Sequence, residues 1–187
     1  IYPVLNMLNT RYFILPLQEG KTVPIENPYA YGNAWFVDNV KFVDNANQEL
    51  DALGQLDLRH EAVADKRFSS QLKAVAEAEE DSAGLVTMTA YEPNRLSYDV
   101  TSVRGGVVVF SEIYYPGWAA TADGEAVELG RVDYVLRALT VGPGQHKVEL
   151  TFFPQSINTT ETIAYIALAL LLLLILVALY FNRNNFA

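Results

Sequence analysis

The C-terminal run Ile163–Phe181, IAYIALALLLLLILVALYF, carries neither a charge nor a proline. Wound as a helix, it spans roughly 28 Å at about 1.5 Å per residue, close to the ~30 Å hydrocarbon core of a bilayer. A core helix of a soluble domain has an apolar stripe, whereas this run is apolar on every face, which predicts a membrane-spanning helix at 163–181. Tyr165 and Tyr180 lie near its ends, where interfacial aromatic side chains gather. Arg183 follows the run, while Thr159, Thr160 and Glu161 precede it. The positive-inside bias therefore predicts a cytoplasmic tail at 182–187 and an extracytoplasmic body before the span. Membrane lipid is the first expected partner.

Of the 187 residues, 51% are hydrophobic and 19% charged, a balance that excludes intrinsic disorder. The 22 acidic residues outnumber the 13 basic ones, for a net charge of -9, so phosphate backbones are repelled and nucleic acid is not expected as a partner. The absence of cysteine removes a disulfide framework, a thiolate metal site and a cysteine nucleophile. The chain opens IYPVLNMLNTRYFIL, with no initiator Met, basic leader or cleavage site. An exported body needs an export signal, which leaves two expectations: a signal removed from a single-pass protein, or the tail of a larger polytopic one.

Residues 1–82 read as a mixed α/β extracytoplasmic region. A short helix is predicted from Pro3 to Leu8, a strand at Arg11–Leu15 and another at Ala34–Val43. Asn45 with Gln48 three residues on resembles a capping box and opens a helix to Leu53, ended by Gly54. Ser69–Glu80 fits either a helix or a charged loop. From about residue 83 to 155 the pattern becomes short strands between turn signals, which predicts a seven-stranded β-sandwich or jelly-roll-like domain. The strands are expected at Leu85–Tyr91, Leu96–Val103, Val107–Ile113, Trp118–Ala122, Ala126–Arg131, Tyr134–Val141 and His146–Phe153. Asp123-Gly124, Gly105-Gly106 and Gly142-Pro143-Gly144 are expected to make tight hairpins. Val107–Phe110 reads as buried on both faces, and Val148, Leu150 and Phe152 as one apolar face. Pro154 ends the last strand, and residues 156–162 form a short linker that keeps the sandwich close to the bilayer. The predicted class is mainly β with some α, plus one C-terminal transmembrane helix.

Chemistry-bearing patterns are sparse. His60 and His146 lie in different regions, and no metal-ligand spacing, nucleophile elbow or phosphate-cradling glycine loop occurs. No metal, cofactor or catalytic residue is therefore nominated. One cluster stands out, Ser111-Glu112-Ile113-Tyr114-Tyr115-Pro116-Gly117-Trp118, followed by Asp133-Tyr134 and Arg137. Tyr114, Tyr115 and Trp118 at a strand corner suit stacking on sugar faces, with Glu112, Asp133 and Arg137 offering partners to hydroxyls. The competing reading has Trp118 and a tyrosine plugging the end of the sandwich and Arg137 paired with Glu112 or Asp133.

The runs SEIYYPGWAATADGEAVEL and VDYVLRALTVGPGQHKVELTFFPQS, followed by an apolar helix, resemble the C-terminal portion of the YfhO-type bacterial membrane proteins. LNMLNTRYFIL and NPYAYGNAWFVDNVKFVDNANQELDAL resemble the segment that leaves the polytopic core in the same family. Asp133 stands where the family pattern more often has Asn. The resemblance implies a large multi-pass, glycosyltransferase-C-like protein that transfers sugars from lipid-linked donors to cell-envelope polymers or lipids. Its catalytic carboxylates are expected on core loops outside this chain. The chain is thus expected to be a non-catalytic outer domain that meets a glycan or lipid-linked sugar. The alternative is a membrane-anchored accessory subunit that packs against other membrane protein subunits.

Overall fold

The computed structural model describes residues 2–72 and 84–185. The chain divides into two compact units, Ile1–Phe152 and Phe153–Ala187. The first opens with helix α1 (Tyr2–Met7) and an antiparallel hairpin, β1 (Tyr12–Pro16) and β2 (Thr22–Glu26). Strands β3 (Ala34–Val37) and β4 (Asn39–Val43), helix α2 (Ala46–Leu53) and strand β5 (Glu61–Asp65) follow. The remaining strands are β6 (Leu85–Glu92), β7 (Arg95–Ser102), β8 (Gly106–Ile113), β9 (Trp118–Ala122), β10 (Glu125–Val127), β11 (Gly130–Val132), β12 (Leu136–Val141) and β13 (Gly144–Phe152). The predicted Ser69–Glu80 segment falls largely on 73–83, outside the described residues.

Two sheets face each other, one in the order β10-β9-β13-β7-β6 and the other β11-β12-β8-β3. The molecule is mainly β, as the turn-punctuated sequence predicts, but the sandwich departs from the seven expected strands in two ways. The expected strand Ala126–Arg131 breaks in two, with β10 on one sheet and β11 on the other. Just after the break, at the start of β11, a Cβ on Gly130 would sit 2.6 Å from Leu72 Cγ, so any side chain there would have to displace the buried Leu72. The expected strand Ala34–Val43 also breaks, at Asp38, whose N–H donates to His60 O at 2.7 Å. Its first half, β3, pairs with β8, and its second half, β4, pairs in parallel with β5 across helix α2. Of the three expected hairpin turns, Asp123-Gly124 joins neighbours β9 and β10, with φ of 54° and 86°. The other two carry the chain from one sheet to the other, β7 to β8 and β12 to β13.

This topology explains why Val107-Val108-Val109-Phe110 is fully apolar. Val108 and Phe110 point between the sheets, packing with Tyr98, Val100, Leu139, Val148 and Leu150. Val107 and Val109 point the other way, into a second cluster with Met7, Trp35, Val40, Leu53, Val63 and Leu136. The four-stranded sheet is therefore buried on both faces, one by the partner sheet and one by the α1 and β4-α2-β5 segments. This second cluster joins residues on both sides of position 82. Helix α2 begins where the sequence predicts: Asn45 Oδ1 accepts from Gln48 N–H at 3.1 Å. The reciprocal bond shifts by one residue, Gln48 Oε1 accepting from Asp44 N–H at 3.0 Å.

The second unit is one helix, α3 (Gln155–Asn185), of 31 residues. Its stretch Thr159–Phe181 has a mean hydropathy of 3.0 and no buried side chain, the profile of a membrane span. Residues 156–162, expected as a linker, are instead the opening turns of this helix. A spanning helix that begins early satisfies its backbone hydrogen bonds before reaching the bilayer, which irregular chain cannot do.

Phe110 is fully buried and meets Tyr98 edge-on at 4.9 Å. Phe110→Ala is expected to cost about 3–5 kcal/mol in equilibrium denaturation of the full chain in micelles. A loss below about 1 kcal/mol would mean that the two sheets do not pack here.

Candidate functional site

Residues 114–117 carry the chain from β8 on one sheet to β9 on the other. The turn is tied down by Tyr114 N–H donating to Val135 O at 2.7 Å, and Gly117 takes a φ of 104°, open to glycine at little cost. Trp118 lies opposite Phe152 across β9 and β13, with ring centres 5.3 Å apart, and Tyr115 meets the same ring at 6.2 Å. The Arg137 guanidinium lies over Trp118, 4.0 Å from its centroid. Arg137 Nε donates to Ile113 O at 3.0 Å, and Nη2 lies 3.4 Å from Glu112 Oε2. Burial lowers the Arg137 pKa, opposed chiefly by the Glu112 charge. The structure thus brings Glu112, Tyr115, Trp118 and Arg137 together, with Arg137 side chain only 3% exposed and Tyr115 at the surface. Arg137 fastens the corner from beneath, while Tyr115 and the half-buried Trp118 keep part of their ring surface accessible.

Asp133 goes elsewhere. It is fully buried in the turn between β11 and β12, where Asp133 and Tyr134 take consecutive left-handed conformations, with φ of 50° and 70°. Non-glycine residues reach that region only at a cost, so something must hold them there. Asp133 N–H donates to Val63 O at 2.7 Å, and Asp133 Oδ1 accepts from Val63 N–H at 2.9 Å, a two-bond clasp onto β5. Glu49, on the buried face of α2, accepts from Tyr134 N–H at 3.3 Å and pairs with Arg131 Nη2. Asp133 Oδ2 is buried with no partner, so this carboxylate does not join Glu112 and Arg137.

Burial pushes the Asp133 carboxyl up to about 7, the nearby Glu49 charge adds to the rise, and the Val63 N–H opposes it. Burial also raises Glu49, against Arg131 and the Tyr134 N–H. With a pKa of about 7, the buried carboxyl holds its proton about half the time at neutrality, which lowers the cost of burying it.

Tyr114 faces away from the Trp118 corner, meeting Phe68 at 5.6 Å. It lines a cavity of about 420 Å³ with Arg67, Phe68, Ile113, Arg131, Tyr134 and Val135. Arg67, Phe68, Arg131 and Glu49 were not singled out in the sequence. For Glu49 a signal exists: it sits three and four residues before Ala52 and Leu53, on the face of α2 that those residues bury. The two histidines each pair with a carboxylate. His60 Nδ1 lies 2.9 Å from Asp38 Oδ2, and His146 Nδ1 lies 2.8 Å from Asp123 Oδ2. Among the described residues, no group of three or more histidines and carboxylates is placed to hold a metal ion.

A mainly β body continued by one apolar helix long enough to cross a bilayer defines a β-sheet protein with one candidate membrane span. Residues 52–164 match the family described as bacterial membrane protein YfhO. The chain belongs to that family. The matched stretch runs from α2 into α3 and holds the Trp118 corner, the Asp133 clasp and the arginine-lined cavity. No curated protein and no solved structure matches the chain.

Asp133 titrates near 7 when folded and near 3.8 when unfolded, so the folded state holds a proton that the unfolded chain releases. Its contribution is full below about pH 4 and is lost as pH rises through about 7. Asp133→Asn keeps the acceptor to Val63 and removes the titration. Urea denaturation at about pH 5 and about pH 8 is expected to show a stability loss on the order of a few kcal/mol in the parent and a much smaller one in the variant. Equal losses in both would remove Asp133 as the cause.

Proposed function

We propose that this chain is the extracytoplasmic, non-catalytic domain and final membrane helix of a polytopic YfhO-type protein that transfers sugars from lipid-linked donors to cell-envelope polymers or lipids. On this reading its aromatic corner seats a glycan beside the catalytic core. The observation that carries the reading is the corner itself: Tyr115 and Trp118 present ring surface at the end of β13, the strand from which the chain runs into the apolar helix. Amphipathic rings over a fixed guanidinium suit the apolar faces and hydroxyl rims of sugars. The positive-inside bias, resting on Arg183, supports an outward-facing body.

A second reading, a subunit that packs against other membrane protein subunits, is favoured by the β1–β2 hairpin. Tyr12, Ile14, Leu15 and Ile25 are all exposed on it, and a two-stranded hairpin is marginal without cover.

The chain lacks cysteine, so a single Glu125→Cys in exposed β10 reports topology cleanly. A membrane-impermeant maleimide is expected to label it in right-side-out vesicles. Labelling only after permeabilisation would contradict the outward placement. On a glycan array, the full chain in micelles is expected to bind, and Trp118→Ala to weaken that binding about tenfold. An unchanged profile would leave the corner a structural plug, and a stoichiometric protein partner retained in mild detergent would favour the second reading.

A further inference from the structure

We propose that the cavity framed by Arg67, Phe68, Tyr114, Arg131 and Tyr134 binds an oxyanion carried on a saccharide, either a carboxylate or a phosphate ester. The saccharide rests on the glycan reading above, while the oxyanion rests on the arginines alone.

Both guanidinium groups are held against rings. Arg67 lies 4.9 Å from the Phe68 centroid, and Arg131 lies 5.7 Å from the same ring and 5.5 Å from that of Tyr134. A guanidinium near an aromatic ring is attracted to the ring without spending a hydrogen bond, so its N–H fork, the part that matches a carboxylate or phosphate, still needs acceptors. Those forks are only partly used. Arg131 gives Nη2 to Glu49 and its Nε is shut off from solvent, yet the side chain keeps 17% of its surface exposed. Arg67 Nε stands 3.7 Å from Asp65 Oδ2, beyond a good hydrogen bond, and its side chain is 60% exposed. Each guanidinium has one carboxylate neighbour, Asp65 for Arg67 and Glu49 for Arg131, and an anion entering the cavity adds a further partner to both.

The carrier follows from the rest of the lining. At about 420 Å³ the cavity lies toward the small end of small-molecule sites, roughly 300–1,000 Å³, a size for one sugar ring and its substituent. Tyr114 and Tyr134 add phenol hydroxyls for a hydroxylated ligand, and Ile113 and Val135 add apolar wall. The chain as a whole carries a net charge of -9, so an anion is drawn in by these forks and not by the general field, and binding is expected to weaken with salt.

The test is calorimetric titration of the full chain in micelles with glucuronate, glucose 1-phosphate, glucose and inorganic phosphate. At least one acidic sugar is expected to bind about tenfold or more tightly than glucose and than phosphate, and whichever does identifies the oxyanion. Arg67→Ala, at an exposed position that leaves the Glu49–Arg131 pair intact, is expected to weaken that binding about tenfold, and Tyr114→Phe by a few fold. Glucose binding as well as the acidic sugars, wild-type affinity in Arg67→Ala, or no binding of any probe would overturn the proposal. Phosphate binding as tightly as the sugars would overturn its saccharide part. Because outside labelling of Glu125→Cys reads placement independently, an empty cavity and a misplaced body give different results.

Discussion

Asp133 and Glu49, two carboxylates without solvent exposure, join the β4-α2-β5 segment to the sandwich. Burying an acid is unfavourable unless it is hydrogen-bonded, paired or protonated, and here all three devices occur. Asp133 closes a two-bond ring with the Val63 peptide and sits near 7, so much of its charge is removed at neutrality. Glu49 keeps the Arg131 cation and the Tyr134 N–H as partners. Together they hold two consecutive left-handed residues that an isolated hairpin would avoid. That turn sets where Tyr134 stands and, with the Glu49 pair, where Arg131 stands, so the arginine-lined cavity depends on groups buried behind it.

The same junction gives the four-stranded sheet its second covered face. A sandwich alone would leave Val107, Val109, Val132 and Leu136 exposed, and their burial against Met7, Trp35, Leu53 and Val63 makes the N-terminal segment part of the core. On the opposite side, Arg137 fixes the Trp118 corner by stacking and by its bond to Ile113 O. The two motifs that the sequence places side by side, Tyr114-Tyr115 and Asp133-Tyr134, are thus divided between two sites. Tyr115 stands with Trp118, Tyr114 stands with Phe68 and Arg131, and Asp133 serves the fold beneath.

The apolar helix was fully legible in the sequence, because a run apolar on all faces has few other fates. Most sandwich strands were legible too, since β-branched and aromatic runs bounded by Asp-Gly or Gly-Pro-Gly leave a local trace. Strands β2 and β5 were not. TVPIE is β-branched but interrupted by a proline, which argues against a strand interior, while EAVAD is two-fifths alanine and lacks strong β-propensity, so β5 is a strand through its pairing with β4 and its burial. The breaks at Asp38 and Gly130 were invisible because they answer to neighbours distant in sequence, His60 and Leu72. The Glu112–Arg137 contact was one of two pairings the sequence allowed. The cavity was not legible, because Arg67 and Phe68 reach Tyr114 and Arg131 only through the clasp between β5 and the β11–β12 turn.

The account stands on that clasp making one cooperative body of the N-terminal segment and the sandwich. Native-state hydrogen exchange on the full chain in micelles tests this most directly, by comparing the Val63 amide in β5 with the Ala138 amide in β12. The account predicts that both exchange only through the same global opening, with opening free energies equal within about 1 kcal/mol, and that Glu49→Gln lowers both together. A Val63 amide that opens several kcal/mol more easily than Ala138 would show two independent bodies and contradict it.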